Sequence, residues 1–305
     1  MAQQTVGVVG LGSLGGAMAR RLASLGWTVH GYDLDAERLD ATADTGVVAA
    51  PSPATLAATC DVVLLSLPDS DAVQRACLGD EGLLHGARAG LLIVDTTSGY
   101  PLQTRAIASQ LNARGIRMID AAITAPAGGA SAAGEGQLTF IVGGAEADVA
   151  AAEALLRALG EHIFPVGPLG AGQIVKMVNN MVGSAAGVAA IEGLLIAAKH
   201  GIDVKMAAQV LDKGTGMNFF CRHPDFALTP GMVGGFQLGL MTKDLRHMSE
   251  FARRSDVPAV VTDHVFHLFE LFVREQGYGA DILRQVDVMQ KWAGVKLDGT
   301  LLDGP

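Results

Sequence analysis

Gly172, Lys176 and Asn180 fall at i, i+4 and i+8, and Asn179 is three residues past Lys176. One stripe of a helix would therefore carry a glycine, a lysine and two amides. The residues that follow, Met181 to Ala198, are almost wholly apolar, so this stripe makes a poor solvated surface. A lysine held there in a cleft would have its pKa depressed by burial and could exchange a proton near neutral pH. The same four residues could also form the solvated first turn of an ordinary helix; the spacing alone allows either.

A second constellation lies at the N-terminus. Thr5 to Val9 is a short β-branched run that ends in Gly10-Leu11-Gly12-Ser13-Leu14-Gly15, and a helical pattern follows from Met18 to Leu25. In a strand–turn–helix of this kind Gly10 permits the tight turn, Gly12 lets the backbone approach a diphosphate, and Gly15 allows helix and strand to touch. A second strand, Thr28 to Tyr32, ends in Asp33, roughly twenty residues past the first glycine, where a ribose-binding acid is expected. A carboxylate there accepts from the adenosine 2′-OH and repels a 2′-phosphate. The nearest arginine, Arg38, stands behind Asp35 and Glu37. The expected cofactor is NAD. A merely solvated aspartate at a strand end is the alternative.

The elements that would position these residues keep alternating. Apolar strands are predicted at Val47 to Ala49, Asp61 to Ser66, Leu91 to Val94 and Ile116 to Ile119, with helices around Pro53 to Ala58, Asp71 to Leu78 and Pro101 to Ala113. This rhythm predicts an α/β fold: a Rossmann-type doubly wound parallel sheet over residues 1–166, binding ligands at the C-terminal ends of its strands. Leu67-Pro68 and Thr96-Thr97-Ser98 should then face the cofactor. Thr97 and Ser98 could bond the ribose or nicotinamide, or simply cap the helix near Pro101. Asp120 to Gly136, rich in Ala and Gly, reads as a substrate loop or as a linker, and its place between two strands favours the loop. A helix around Glu146 to Leu159 and a short strand near Ile163 follow. From about Leu169 no strand pattern remains, and residues 167–305 read as an all-α domain joined to the sheet by a long interdomain helix. The site would then lie between the two.

Composition excludes several classes. The chain has 305 residues with 50% hydrophobic content, enough for two cores. A net charge of -9 without any basic block argues against nucleic acid and anionic membranes. Cys60, Cys77 and Cys221 lack a C-x-x-C spacing and read as reduced thiols of a cytoplasmic protein. No Lys or Arg precedes the N-terminal apolar run, which argues against a secretory signal. Glu192 interrupts the Met181–Ala198 stretch, which suits a packed or subunit-facing helix better than a membrane span. No metal site is expected.

These motifs, in this order and over nearly the whole length, resemble the β-hydroxyacid dehydrogenases, the family of 3-hydroxyisobutyrate dehydrogenase and tartronate semialdehyde reductase. The Gly10–Gly15 segment resembles the family's cofactor signature, and Asp95-Thr-Thr97-Ser98-Gly-Tyr-Pro101 its aspartate–hydroxyl–proline segment beside the nicotinamide. Gly170-Ala-Gly172 through Lys176 to Asn179-Asn180 matches its catalytic signature, which implies proton transfer by Lys176 and a substrate contact by Asn180, with Asn179 beside it. The segment Phe236 to Lys243-Asp244-Leu245 resembles the family's later Lys-Asp segment, which implies that Lys243 approaches cofactor and substrate. Gly277-Tyr-Gly279-Ala-Asp281 resembles the turn before its last helix. The substrate loop departs from the family's Asp-x-Pro-Val-Ser-Gly-Gly. Here Asp120-Ala-Ala-Ile-Thr124-Ala-Pro126-Ala-Gly128-Gly129 either puts Thr124 in place of the serine or keeps only Gly128-Gly129.

Hydride transfer at an alcohol carbon needs a group that exchanges the hydroxyl proton. A zinc site needs clustered Cys and His, which are absent. A Tyr-x-x-x-Lys pair is also absent: Ala36, Thr104 and Ile282 stand four residues past Tyr32, Tyr100 and Tyr278. A lone lysine remains, and Lys176 is the best placed, with Asn180 orienting the oxygen. Backbone N–H groups near Thr124 or Gly128-Gly129 would hold the acid group. His223 and His247 read first as ordinary surface or packing histidines, and both, like Arg222 for the acid group, are secondary candidates for touching substrate. The reading is an NAD-dependent oxidoreductase acting on a small 3-hydroxy acid, in a homodimer or homotetramer. An imine reductase and a non-catalytic NAD sensor are the alternatives.

Overall fold

The valine- and leucine-rich runs of the first half become strands because β-branched and apolar residues suit a sheet covered on both faces. In the computed structural model, residues 5–125 and 129–302 are described, and the chain divides into two units, Met1–Lys176 and Met177–Pro305. The first unit carries β1 (Thr5–Val9), β2 (Thr28–Tyr32), β3 (Val47–Ala49), β4 (Val62–Leu65), β5 (Leu92–Asp95), β6 (Arg117–Thr124), β7 (Leu138–Gly143) and β8 (Gly160–Gly167). They form one eight-stranded sheet in the order β3-β2-β1-β4-β5-β6-β7-β8. Successive residues of one strand serve opposite faces: Val62 and Leu64 enter one core, Val63 and Leu65 the other.

The helices between the strands are α1 (Ser13–Ser24), α2 (Ala36–Asp40), α3 (Pro53–Thr59), α4 (Ser70–Leu78), α5 (Leu83–Gly86), α6 (Pro101–Asn112), α7 (Gly129–Glu135) and α8 (Glu146–Leu159). Local chemistry sets several starts. Ser52 caps α3 with Pro53 in its first turn, and Asp69 caps α4 by accepting the Ala72 N–H. The strand order reverses about β1, which is flanked by β2 and β4, and this places the switch point at their C-terminal ends.

The first six strands are parallel, as the alternation predicts, but β7 runs antiparallel to β6, with Thr124 opposite Thr139, and β8 is parallel to β7. A parallel return would have to carry the chain back along β6, roughly 26 Å for eight residues. More than half of the residues that link β6 to β7 are wound into α7, which spans only about 10 Å. The segment expected as a loop from Asp120 is also partly regular: β6 continues to Thr124, and α7 occupies Gly129–Glu135.

The long helix α9 (Ala171–Lys199) starts in the first unit and continues in the second. By length and composition it could cross a membrane, but Ile191, Leu194 and Leu195 are buried in the second unit's core. That unit adds α10 (Val204–Lys213), α11 (Phe219–Arg222), α12 (Asp225–Leu228), α13 (Leu238–Arg254), α14 (Val260–Gln276) and α15 (Arg284–Ala293). Apart from the isolated bridges Gln237↔Asp281 and Val295↔Leu301, its described residues form no β-structure. Leu245, Phe269, Phe272 and Met289 fill its core. Met217 is exposed.

Candidate active site

The turn between β1 and α1 gives each glycine a separate role. Gly10 has φ +92°, and a Cβ there would collide with the Ser66 carbonyl; a Cβ on Gly15 would collide with the Gly10 carbonyl. Both are therefore required by packing. Gly12 differs: its Cβ would meet only the Arg38 guanidinium, at 3.5 Å. Gly12 is also the N-cap of α1 and, having no side chain, offers no cap to the first-turn N–H groups, those of Ser13 and Leu14 among them. An open glycine and an uncapped, electropositive helix end fit the diphosphate of a dinucleotide.

Asp33 is tied to this turn. Its Oδ2 accepts the Leu11 N–H (2.7 Å) and its Oδ1 the Asp35 N–H (2.9 Å). Arg38, expected to lie behind its acidic neighbours, instead folds back, with Nη1 3.5 Å from Asp33 and Nε 3.4 Å from Asp35. A guanidinium thus stands beside the carboxylate.

The ends of β4 and β5 meet next to the turn. The Leu67 N–H donates to Thr97 Oγ1 (3.2 Å), and the Thr97 N–H donates to Asp95 Oδ1 (3.0 Å). Pro68 is exposed and Ser98 half-buried. Thr124, half-buried, ends β6. Gly129 opens α7 so close to the glycine turn that its Cβ would lie 3.7 Å from Leu14. Gly128 and Pro126 lie outside the described residues.

Two acids that the sequence places within motifs but without a role of their own are buried at this end of the sheet. Asp95 and Asp120 are register partners on β5 and β6. Asp120 Oδ1 accepts the Gly170 N–H (2.6 Å) and its Oδ2 the Gln173 N–H (2.8 Å), the donors at the start of α9. Gln173 Nε2 stands 3.5 Å from Asp95 Oδ2, and the Thr104 hydroxyl donates to Gln173 Oε1 (2.8 Å). Burial lifts both carboxyls. Asp95 is pushed to about 7, against the bonds from Thr97 and helped by the Asp120 charge. Asp120 reaches about 6, held lower by the Gly170 and Gln173 N–H groups and by Arg105.

Lys176 follows on α9, half-buried, one turn before Asn180. In the second unit Asn180 is 6% exposed and donates its amide to Asp244 Oδ2 (2.7 Å), while Asn179 is exposed and donates to Asn180 Oδ1 (3.3 Å). Lys243 Nζ lies 3.2 Å from Asp244 Oδ1, with both side chains buried. Asp244 therefore joins Asn180 and Lys243, a role that its place beside Lys243 in the Lys-Asp pair could have signalled. His247, on the same helix as Lys243, is half-buried. Desolvation, then the Lys243 charge, lowers its pKa. His223 is an exposed ring against Phe219 and Phe226, and Arg222 pairs with Asp212 at 3.3 Å. Among the described residues no group of three His, Cys, Asp or Glu side chains gathers to hold a metal ion.

The family model for the NAD binding domain of 6-phosphogluconate dehydrogenase matches residues 5–167. The model for the NAD-binding region of NADP-dependent 3-hydroxyisobutyrate dehydrogenase matches residues 170–289. The 2-(hydroxymethyl)glutarate dehydrogenase of Eubacterium barkeri is 30% identical over 297 residues, 96% of this chain and 97% of that protein. The NAD-dependent L-serine dehydrogenase of Pseudomonas aeruginosa is 30% identical over 296 residues, 94% of this chain and 96% of its own. A solved structure of Mycobacterium tuberculosis 3-hydroxyisobutyrate dehydrogenase with L-serine has a TM-score of 0.85 at 26% identity, covering 94% of this chain and 99% of that one.

Proposed function

Because the chain belongs to the family of NAD(P)-dependent hydroxyacid dehydrogenases represented by 3-hydroxyisobutyrate dehydrogenase, we propose that it interconverts a small 3-hydroxy acid and the corresponding aldehyde or keto acid, with NAD preferred and Lys176 as general acid–base. The observation that carries this reading is one helix, α9, bearing Lys176 and, a turn later, an Asn180 amide tied through Asp244 to Lys243. The relatives support the substrate class: they are named for 2-(hydroxymethyl)glutarate, L-serine and 3-hydroxyisobutyrate, each a 3-hydroxy acid.

In the oxidative direction neutral Lys176 takes the hydroxyl proton, and in the reductive direction its ammonium returns it. A bound nicotinamide supplies the other half of the chemistry, accepting or donating the hydride. Asn180 orients the reacting oxygen. The Asp244 carboxylate only accepts, so the NH₂ end of the Asn180 amide must face it, and this fixes which way the amide points. Lys243 adds a buried positive charge, and backbone N–H groups near Thr124 or Gly129 hold the acid group. For the cofactor, the Asp33 carboxylate favours a ribose 2′-OH over a 2′-phosphate.

An NAD-coupled screen of small 3-hydroxy acids, including sulfonated and aryl-substituted members, tests the substrate class. On the best substrate, Lys176→Ala should lower turnover by roughly 10²–10⁴-fold. The NADH dissociation constant, read by fluorescence titration, should stay within about twofold of the parent value. Loss of NADH binding would instead make Lys176 a structural residue.

A further inference from the structure

We propose that Asp120 is the positioning residue of the reaction assigned above: by accepting the N–H groups of Gly170 and Gln173, its carboxylate seats the first turn of α9 on the sheet and so fixes where Lys176 holds its proton. The proposal rests on that assignment of Lys176, and all the residues that carry it lie in the first unit. A helix start leaves unsatisfied N–H donors, and they are ordinarily met by a side chain from the residue just before the helix. Here the acceptor comes from another element, fifty residues earlier in the chain, and uses both of its oxygens.

The surroundings are cut to this carboxylate. A Cβ on Gly143, its cross-strand partner on β7, would collide with Asp120 Oδ1. A Cβ on Gly172 would collide with the Ile141 carbonyl and lie 2.8 Å from Asp120 Oδ2. Gly170 has φ +86°, which turns its N–H onto the acid. The Gly170-x-Gly172-Gln173 sequence ahead of Lys176 is thus explained residue by residue as a docking surface for one carboxylate. Gln173 extends the latch to Asp95, which holds Thr97 and through it the Leu67 N–H. One continuous set of bonds therefore joins the strand ends of the cofactor-binding half to the turn that precedes Lys176. On the other side Arg105, from α6, donates to the Leu169 carbonyl (2.9 Å).

Charge matters because an ionised carboxylate has acceptors only, whereas protonation or an amide puts a donor against one of the two N–H groups. Two N–H groups and Arg105 favour the charge of Asp120, whereas Asp95, bonded to Thr97 and to the Gln173 amide, is pushed up further by burial and by the like charge of Asp120.

Asp120→Asn tests the proposal by three readings. Amide hydrogen exchange in the segment 168–176 of the chain without cofactor should accelerate about tenfold or more, with the remainder of the first unit unchanged. The rate of Lys176 acetylation by acetic anhydride, followed by mass spectrometry, should change while that of Lys199 does not. On the best hydroxy acid, kcat should fall roughly 10–100-fold with the NADH dissociation constant unaltered. Exchange that rises throughout the unit, or Lys176 reactivity that stays as in the parent, would overturn the proposal. The first two readings need no substrate, so they decide it even if the hydroxy acid screen fails. Should Asp120→Asn not fold, Gly172→Ala pushes the same turn off the carboxylate and must give the same local pattern.

Discussion

Asp33 is pulled in two directions by its neighbours. Its carboxylate is the proposed partner of the ribose, yet the Arg38 guanidinium stands 3.5 Å away, beside open Gly12. Arg38 is half exposed although the Asp33 side chain is buried, and a pair with one solvated partner contributes little to stability, so the arginine is better understood by what it would meet in a ligand. A 2′-phosphate would be repelled by Asp33 and attracted by Arg38, and the carboxylate decides only as long as it is charged. Asp33→Asn keeps the shape and removes the charge. It should therefore tighten NADPH relative to NADH by about tenfold or more, measured as the ratio of dissociation constants. An unchanged ratio would mean that Asp33 reads only its own backbone partners, Leu11 and Asp35.

At the scale of elements, the β1–α1 turn separates packing from recognition. Gly15→Ala places a methyl against the Gly10 carbonyl and 3.0 Å from Ser66 Cβ, so α1 must move off β1. The expected cost is about 1–3 kcal/mol in stability, together with at least a tenfold loss of NADH affinity. Gly12→Ala meets nothing nearer than Arg38 at 3.5 Å and should lose affinity while keeping its melting temperature. If thermal melts of the two variants coincide, the division of roles is wrong. This turn was legible in the sequence because its geometry is local: a β-branched run, glycines at fixed spacing, then a helical period. The helical second half was legible for the same reason. The reversal at β7 was not, because Asp120-Ala-Ala-Ile-Thr124 has weak strand propensity of its own and becomes a strand by pairing with β5 and β7. Nor could spacing show that Arg38 folds back, or that Asp244 reaches Asn180 across 64 residues of chain. Such contacts are products of packing, and the sequence could give only the residue types that make them possible.

Across the whole molecule the charge balance and the buried titratable groups set how stability follows pH. Most of the net charge of -9 is on solvated side chains, whose mutual repulsion changes gradually with pH. Asp95 and His247 act more sharply and with opposite sign. Burial raises Asp95 from 3.8 to about 7. Its contribution is therefore complete below the unfolded value and is lost as pH rises through about 7. Burial lowers His247 below its usual 6.5. Its contribution is present above that value and is lost as pH falls through the lowered one. The first lies in the first unit and the second in the second, so on acidification the two groups act in opposite directions, one in each unit. Between about pH 8 and pH 5.5, Asp95→Asn should remove the gain and make the melting temperature drop further on acidification than in the parent, by roughly 3–6 °C. His247→Gln should remove the loss and shift the same difference the other way. Parallel pH profiles for the parent and both variants would show that neither group is held away from its ordinary value by the fold.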